Sequence, residues 1–174
     1  MRRIPQWLFV GLLAFPGTVL GQGVDEYSMK AAFIYNFTKF IEWPKIIGLT
    51  TFSICVLGDD PFGLTLDEVV KGKTANGVAI QTRRLKDPSE ARQCQIVFVK
   101  REEEKKAQKL VEEIRGLPVL TIGEWPKFGN GGGMISLSMK DDLVTIVIDT
   151  KAAESSGLKV SAKLMTLVKS SKDQ

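Results

Sequence analysis

The sequence predicts a three-layer α/β domain: a mixed, mostly parallel central sheet ending in a C-terminal antiparallel hairpin, with helices on both faces. Three observations predict it. Short, continuous apolar runs at 51–58, 94–100 and 119–122 read as strands buried on both faces. Helical stretches alternate with these strands along the chain, the pattern of a layered α/β fold. Two apolar segments, 134–139 and 143–148, flank Lys140-Asp141-Asp142, a tight turn of hairpin type.

Taken in order, residues 1–21 read as a secretory signal and not as part of the fold. Arg2 and Arg3 form a positive head, Trp7 to Phe15 an apolar run, and Pro16-Gly17 a break, with cleavage expected near Gly21. The run is shorter than the about 20 apolar residues of a membrane-spanning helix. The expectation is a periplasmic product comprising residues 22–174 as one domain.

A helix is predicted over 25–41, with Met29, Ala32, Phe33, Phe37, Phe40 and Ile41 on one stripe. Pro44 ends it by disfavouring helical geometry at Trp43. After the strand at 51–58, Asp60 reads as an N-cap and Pro61 as the first residue of a short helix running to Val70. Residues 78–85 alternate as a strand, 88–93 form a short helical or turn segment, and 94–100 is the second buried strand. The helix at 102–115 has acids at its start, an apolar stripe of Ala107, Leu110, Val111 and Ile114, and Gly116 as its stop. A glycine-rich loop at 129–133 leads into the hairpin, and a terminal helix is expected over 151–170, interrupted at Gly157.

Composition excludes more than it proves. Loss of Arg2 and Arg3 reduces the 24 basic residues to 22 against 20 acids, so the formal charge falls from +4 to +2. Nucleic-acid binding is not expected from so small an excess. The chain has no histidine, which removes the usual neutral-pH base and the commonest metal ligand. No cofactor motif and no metal-ligand cluster is present. Cys55 and Cys94 either pair or remain buried thiols, and export favours pairing. A bridge would close a loop of about 40 residues, worth about 4 kcal/mol in the chain-entropy model.

Several motifs reduce to plain structure. Gly72-Lys73-Thr74 lacks the first glycine of a phosphate loop and precedes a strand, so it is a turn. Asn36-Phe37-Thr38 matches a glycosylation sequon inside a helix, the wrong context. Glu42-Trp43-Pro44-Lys45 recurs as Glu124-Trp125-Pro126-Lys127 without matching flanks, so it is not a repeat. Asp59-Asp60 and Asp141-Asp142 fit caps and turns better than catalysis. A ligand or partner edge is expected outside the carboxyl ends of the strands, where Asp59, Asp60, Lys100, Arg101 and Glu124 fall.

A set of segments then carries a resemblance. Tyr27-Ser28-Met29-Lys30-Ala31-Ala32-Phe33-Ile34-Tyr35-Asn36-Phe37 runs on to Glu42-Trp43-Pro44; Ile54-Cys55-Val56-Leu57-Gly58 runs on to Asp60-Pro61-Phe62-Gly63. Cys94-Gln95-Ile96-Val97-Phe98-Val99, Leu120-Thr121-Ile122-Gly123, Gly132-Gly133-Met134-Ile135 and Gly157-Leu158-Lys159-Val160-Ser161 follow in order. In this order, behind an export signal, the chain resembles the YfiR-like family of periplasmic proteins (DUF4154). The resemblance implies a non-enzymatic regulator that restrains an inner-membrane diguanylate cyclase by binding its periplasmic part, and so modulates cyclic-di-GMP signalling. It also implies sequestration by an OmpA-like outer-membrane lipoprotein and a response to envelope redox state, and it is compatible with a homodimer. Cys55 and Cys94 fall where the family has a cysteine pair, whereas the second pair of the founding type is missing. The alternative is a periplasmic small-ligand sensor, or a binding module for another membrane receptor.

Overall fold

The computed structural model describes residues 25–44, 48–140 and 143–170. The expected signal at 1–21 and the turn residues Asp141-Asp142 lie outside the described residues. Helix α1 (Glu26–Phe40) starts where the Asp25 carboxylate accepts the Ser28 N–H at 3.2 Å. It stops where Ile41 turns extended and opens strand β1 (Ile41–Glu42). Strand β2 (Phe52–Leu57) follows, then α2 (Thr65–Val70), the two-residue β3 (Thr74–Ala75) and β4 (Val78–Leu85). A 3-10 turn at Pro88–Gln93 leads to β5 (Ile96–Val99), and a second at Arg101–Glu103 to α3 (Glu104–Glu113). Next come β6 (Leu120–Gly123), a 3-10 turn at Phe128–Gly131, and the hairpin β7 (Ile135–Lys140) and β8 (Leu143–Ile148). The described chain closes with α4 (Thr150–Ser155), β9 (Lys159–Val160) and α5 (Ala162–Ser170).

Seven strands form one sheet in the order β3-β4-β2-β5-β6-β7-β8. The five inner strands run parallel, and the two edge strands β3 and β8 are antiparallel to their neighbours. Alternation within each strand divides the interior into two cores. Phe52, Ile54 and Val56 of β2 face α1, α2, α4 and α5, together with Phe98, Ile122 and Ile135. Cys55 and Leu57 face the other way, with Val97, Val99, Leu110, Ile114, Trp125 and Phe128 under α3. The predicted three-layer α/β architecture is therefore present. The disulfide Cys55–Cys94 lies in the second core, with Cα atoms 6.2 Å apart and both residues buried. The two Glu-Trp-Pro tetrapeptides share no environment. Trp43 packs edge-on against Phe52 on the α1 side, and Trp125 against Phe128 on the α3 side.

Three predicted elements are corrected. Asp60 and Pro61 do not open α2: the Asp60 carboxylate accepts the Phe62 N–H in a local turn, and the helix begins at Thr65 after Gly63 takes positive φ. The terminal helix is two helices, because Gly157 at φ +80° ends α4 and Lys159–Val160 pairs antiparallel with Glu42–Ile41. The buried face of α1 is Lys30, Ala31, Ile34, Phe37 and Thr38, while Ala32 of the predicted stripe is exposed. In the glycine-rich segment a Cβ at Gly133 would collide with the Phe128 ring, so the backbone there approaches closer than any other residue allows.

Candidate functional site

Parallel register gathers the predicted edge. Leu57 is level with Val99, and Val99 with Gly123, so the chain leaves three neighbouring strands at Gly58, Lys100 and Glu124 along one line. Asp59, Asp60, Lys100, Arg101 and Glu124 thus share the carboxyl-end rim of the sheet. Their chemistry is largely consumed by one another and by neighbours.

Glu124 is the centre of one half. Its Oε2 accepts the Lys30 ammonium at 2.9 Å and the Tyr27 hydroxyl at 3.4 Å, and its Oε1 accepts the Arg101 backbone N–H at 3.1 Å. Lys30 also pairs with Glu26, one helical turn away, and its side chain is 2% exposed. Burial, and then the negative charge of Glu124, push the Tyr27 hydroxyl up to about 12. This knot fastens α1 to the ends of β5 and β6.

Arg84 is the centre of the other half. It donates to Asp60 Oδ2 at 2.8 Å, to Asp67 Oδ1 at 2.8 Å and to the Gly63 carbonyl at 2.6 Å. Hydrogen bonding from Arg84 holds the Asp67 carboxyl below its ordinary range, helped by the Thr82 hydroxyl. Arg84 thereby pins the loop between β2 and α2 to strand β4. Between the halves, Glu103 accepts the Asp59 N–H at 3.2 Å and pairs with Lys106 at 3.0 Å, and the hydrogen bond from Lys106 is the first cause that holds its carboxyl below the ordinary range.

Of the predicted rim residues, Asp60 and Glu124 have structural partners, Asp59 is anchored through its backbone, and Lys100 lies 3.6 Å from Glu102. Arg101 keeps an exposed side chain. A shallow cleft of about 350 Å³ opens beside it, between Glu26, Glu102 and Ser138. The residues that organise the rim, Tyr27, Lys30, Asp67 and Arg84, were not singled out by sequence. Only the Glu26–Lys30 spacing could have signalled one of them.

A second candidate surface is apolar. A groove of about 260 Å³ runs between α1, β8 and α5, lined by Phe33, Phe37, Phe40, Val144, Ile146 and Leu164. Leu143 and Val147 lie on the opposite face of β8, 67% and 39% exposed. Among the described residues no group of acids and cysteines could hold a metal ion, and no helix is long and apolar enough to cross a membrane.

The model of the DUF4154 family, described as YfiR/HmsC-like, matches residues 27–169, which holds both surfaces and the disulfide. The chain belongs to this family. The chain is also similar in fold to a solved structure described as a conserved domain protein from Vibrio cholerae O1 biovar El Tor. The likeness has a TM-score of 0.52 at 10% identity and covers 78% of this chain. This chain matches 58% of that protein's length, and the similarity is one of fold. Family membership and the Cys55–Cys94 bridge agree with the sequence reading.

Proposed function

We propose that the protein is a periplasmic, non-enzymatic regulator that restrains an inner-membrane diguanylate cyclase by binding its periplasmic part. The family match over residues 27–169 carries this reading. Export through the segment 1–21 would put the regulator across the membrane from cyclic-di-GMP, so control would pass through a membrane partner. An OmpA-like outer-membrane lipoprotein would act as the competing partner that withdraws it. The pairing within the rim supports a non-catalytic reading: the Glu124 and Asp60 carboxylates are committed to Lys30, Arg84 and the Arg101 backbone N–H. The disulfide, shielded from solvent on both sulfur-bearing residues, fits a structural staple in this chain.

The test is genetic. Deleting the gene should raise cellular cyclic-di-GMP, with the rise abolished when the cyclase gene is deleted as well. An unchanged level in the single deletion would overturn the proposal.

A further inference from the structure

The two edges of the sheet are protected very differently. At one end β3 has two residues, and the adjoining β4 carries Gln81, Arg83 and Arg84. A short strand and nearby charge are common ways of blocking edge-to-edge pairing. At the other end β8 has six residues, Leu143-Val144-Thr145-Ile146-Val147-Ile148, and not one is charged. Among the described residues no strand pairs with its outer side.

The backbone groups that face outward follow from the ladder. Asp149 N–H donates to the Met134 carbonyl at 2.8 Å, and antiparallel pairs alternate between bonded and non-bonded. Val147, Thr145 and Leu143 therefore turn their backbone groups towards β7. Val144, Ile146 and Ile148 present theirs to the open edge. An incoming strand would meet three residues with donors and acceptors in place. Its side chains would alternate between the apolar groove, beside Phe33 and Phe40, and the face of Leu143 and Val147.

We infer that β8 is a strand-addition site for an extended, uncharged, alternately apolar segment of the membrane partner. The inference rests on the function proposed above and adds where and how the partner docks. Chemistry selects the occupant: β8 carries no charge and the groove lining is uncharged, with Lys163 over the Phe40 ring at 5.9 Å as a flanking cation, so the segment that fits is apolar along its length. Leu164 of α5 shares the buried core with Ile146 on the groove side. A second copy on the same edge would be distinguished by its oligomeric state.

The test uses the protein purified from the periplasm and the purified periplasmic part of the diguanylate cyclase. The double variant Leu143→Lys/Val147→Lys and the backbone variant Val144→Pro should each bind about tenfold more weakly or worse. The double variant should keep its melting temperature within about 3 °C. Wild-type binding that both variants retain overturns this inference and leaves the proposed function standing. Failure of the wild type to bind overturns both. A wild-type dimer in size-exclusion chromatography that either variant dissociates would assign the edge to a second copy and overturn the inference. Binding weakened by both variants, with the double variant folded, supports it.

Discussion

The carboxyl-end rim and the β8 edge are two candidate surfaces for meeting another molecule, and they differ in what is left unsatisfied. The rim concentrates charge, yet Lys30, Glu124, Arg84, Asp60 and Asp67 are joined to one another, and Glu103 to Lys106. The β8 edge has no charge, and its backbone donors and acceptors face outward. Position alone would favour the rim, because open α/β sheets bind ligands there. Counting partners favours the edge. A polar cluster whose groups are internally paired acts as a fastener, whereas unpaired backbone beside apolar side chains is a binding surface.

The largest expected effect lies in the core beneath the rim, on the α3 side of the sheet. Replacing Cys55 and Cys94 by serine should cost about 4 kcal/mol of stability, measured by urea unfolding, because the bridge closes a long loop. A loss that small core repacking could explain, under about 1 kcal/mol, would mean that the α3-side core holds without it.

Next in size is the rim itself. Glu124→Ala leaves the buried Lys30 with Glu26 and the Tyr27 ring and frees the Arg101 N–H, so about 3 kcal/mol should be lost. Lys30→Met, which removes the buried charge but keeps its volume, should cost less. If Glu124→Ala instead abolished partner binding at unchanged stability, the rim would be a recognition site and the comparison would fail.

Arg84→Met should cost about 1–2 kcal/mol, since the guanidinium is a third exposed and its bonds are partly replaced by water. It also bears on acid stability. A carboxyl held below its ordinary value binds its proton less readily when folded. Asp67 therefore stabilises the fold above its unfolded value of about 3.9, and that contribution fades as the pH falls through its lower folded value. The Asp67→Asn protein should accordingly lose less stability than wild type between pH 5 and pH 2. Parallel acid-unfolding curves would contradict that assignment.

The smallest stability effect belongs to the edge. Leu143→Lys alone should change unfolding free energy by less than about 0.5 kcal/mol, as its side chain is mostly solvated. A much larger loss would mean that Leu143 is part of the core and not of a surface.

The same contrast explains what the sequence made legible. Strands β2, β5 and β6 are continuous apolar runs because parallel inner strands are covered on both faces, and that signal is local. The rim was legible too, since once three parallel strands are placed their ends must line up. The Lys30 knot was not. A lysine in an apolar-looking helix is ordinarily solvated, and its partner Glu124 is 94 residues away. Strand β9 was hidden for a similar reason: two residues become a strand only because β1 lies alongside them. The start of α2 was misplaced because Asp60-Pro61 is also a good turn signal, and Arg84, distant in sequence, decides between the two.

Amide hydrogen exchange, with and without the periplasmic part of the diguanylate cyclase, tests the central claim most directly. The account predicts added protection at the Val144, Ile146 and Ile148 amides, with the amides of Asp59, Arg101 and Glu102 unchanged. Protection confined to those rim amides, with β8 exchanging as in the free protein, would contradict it.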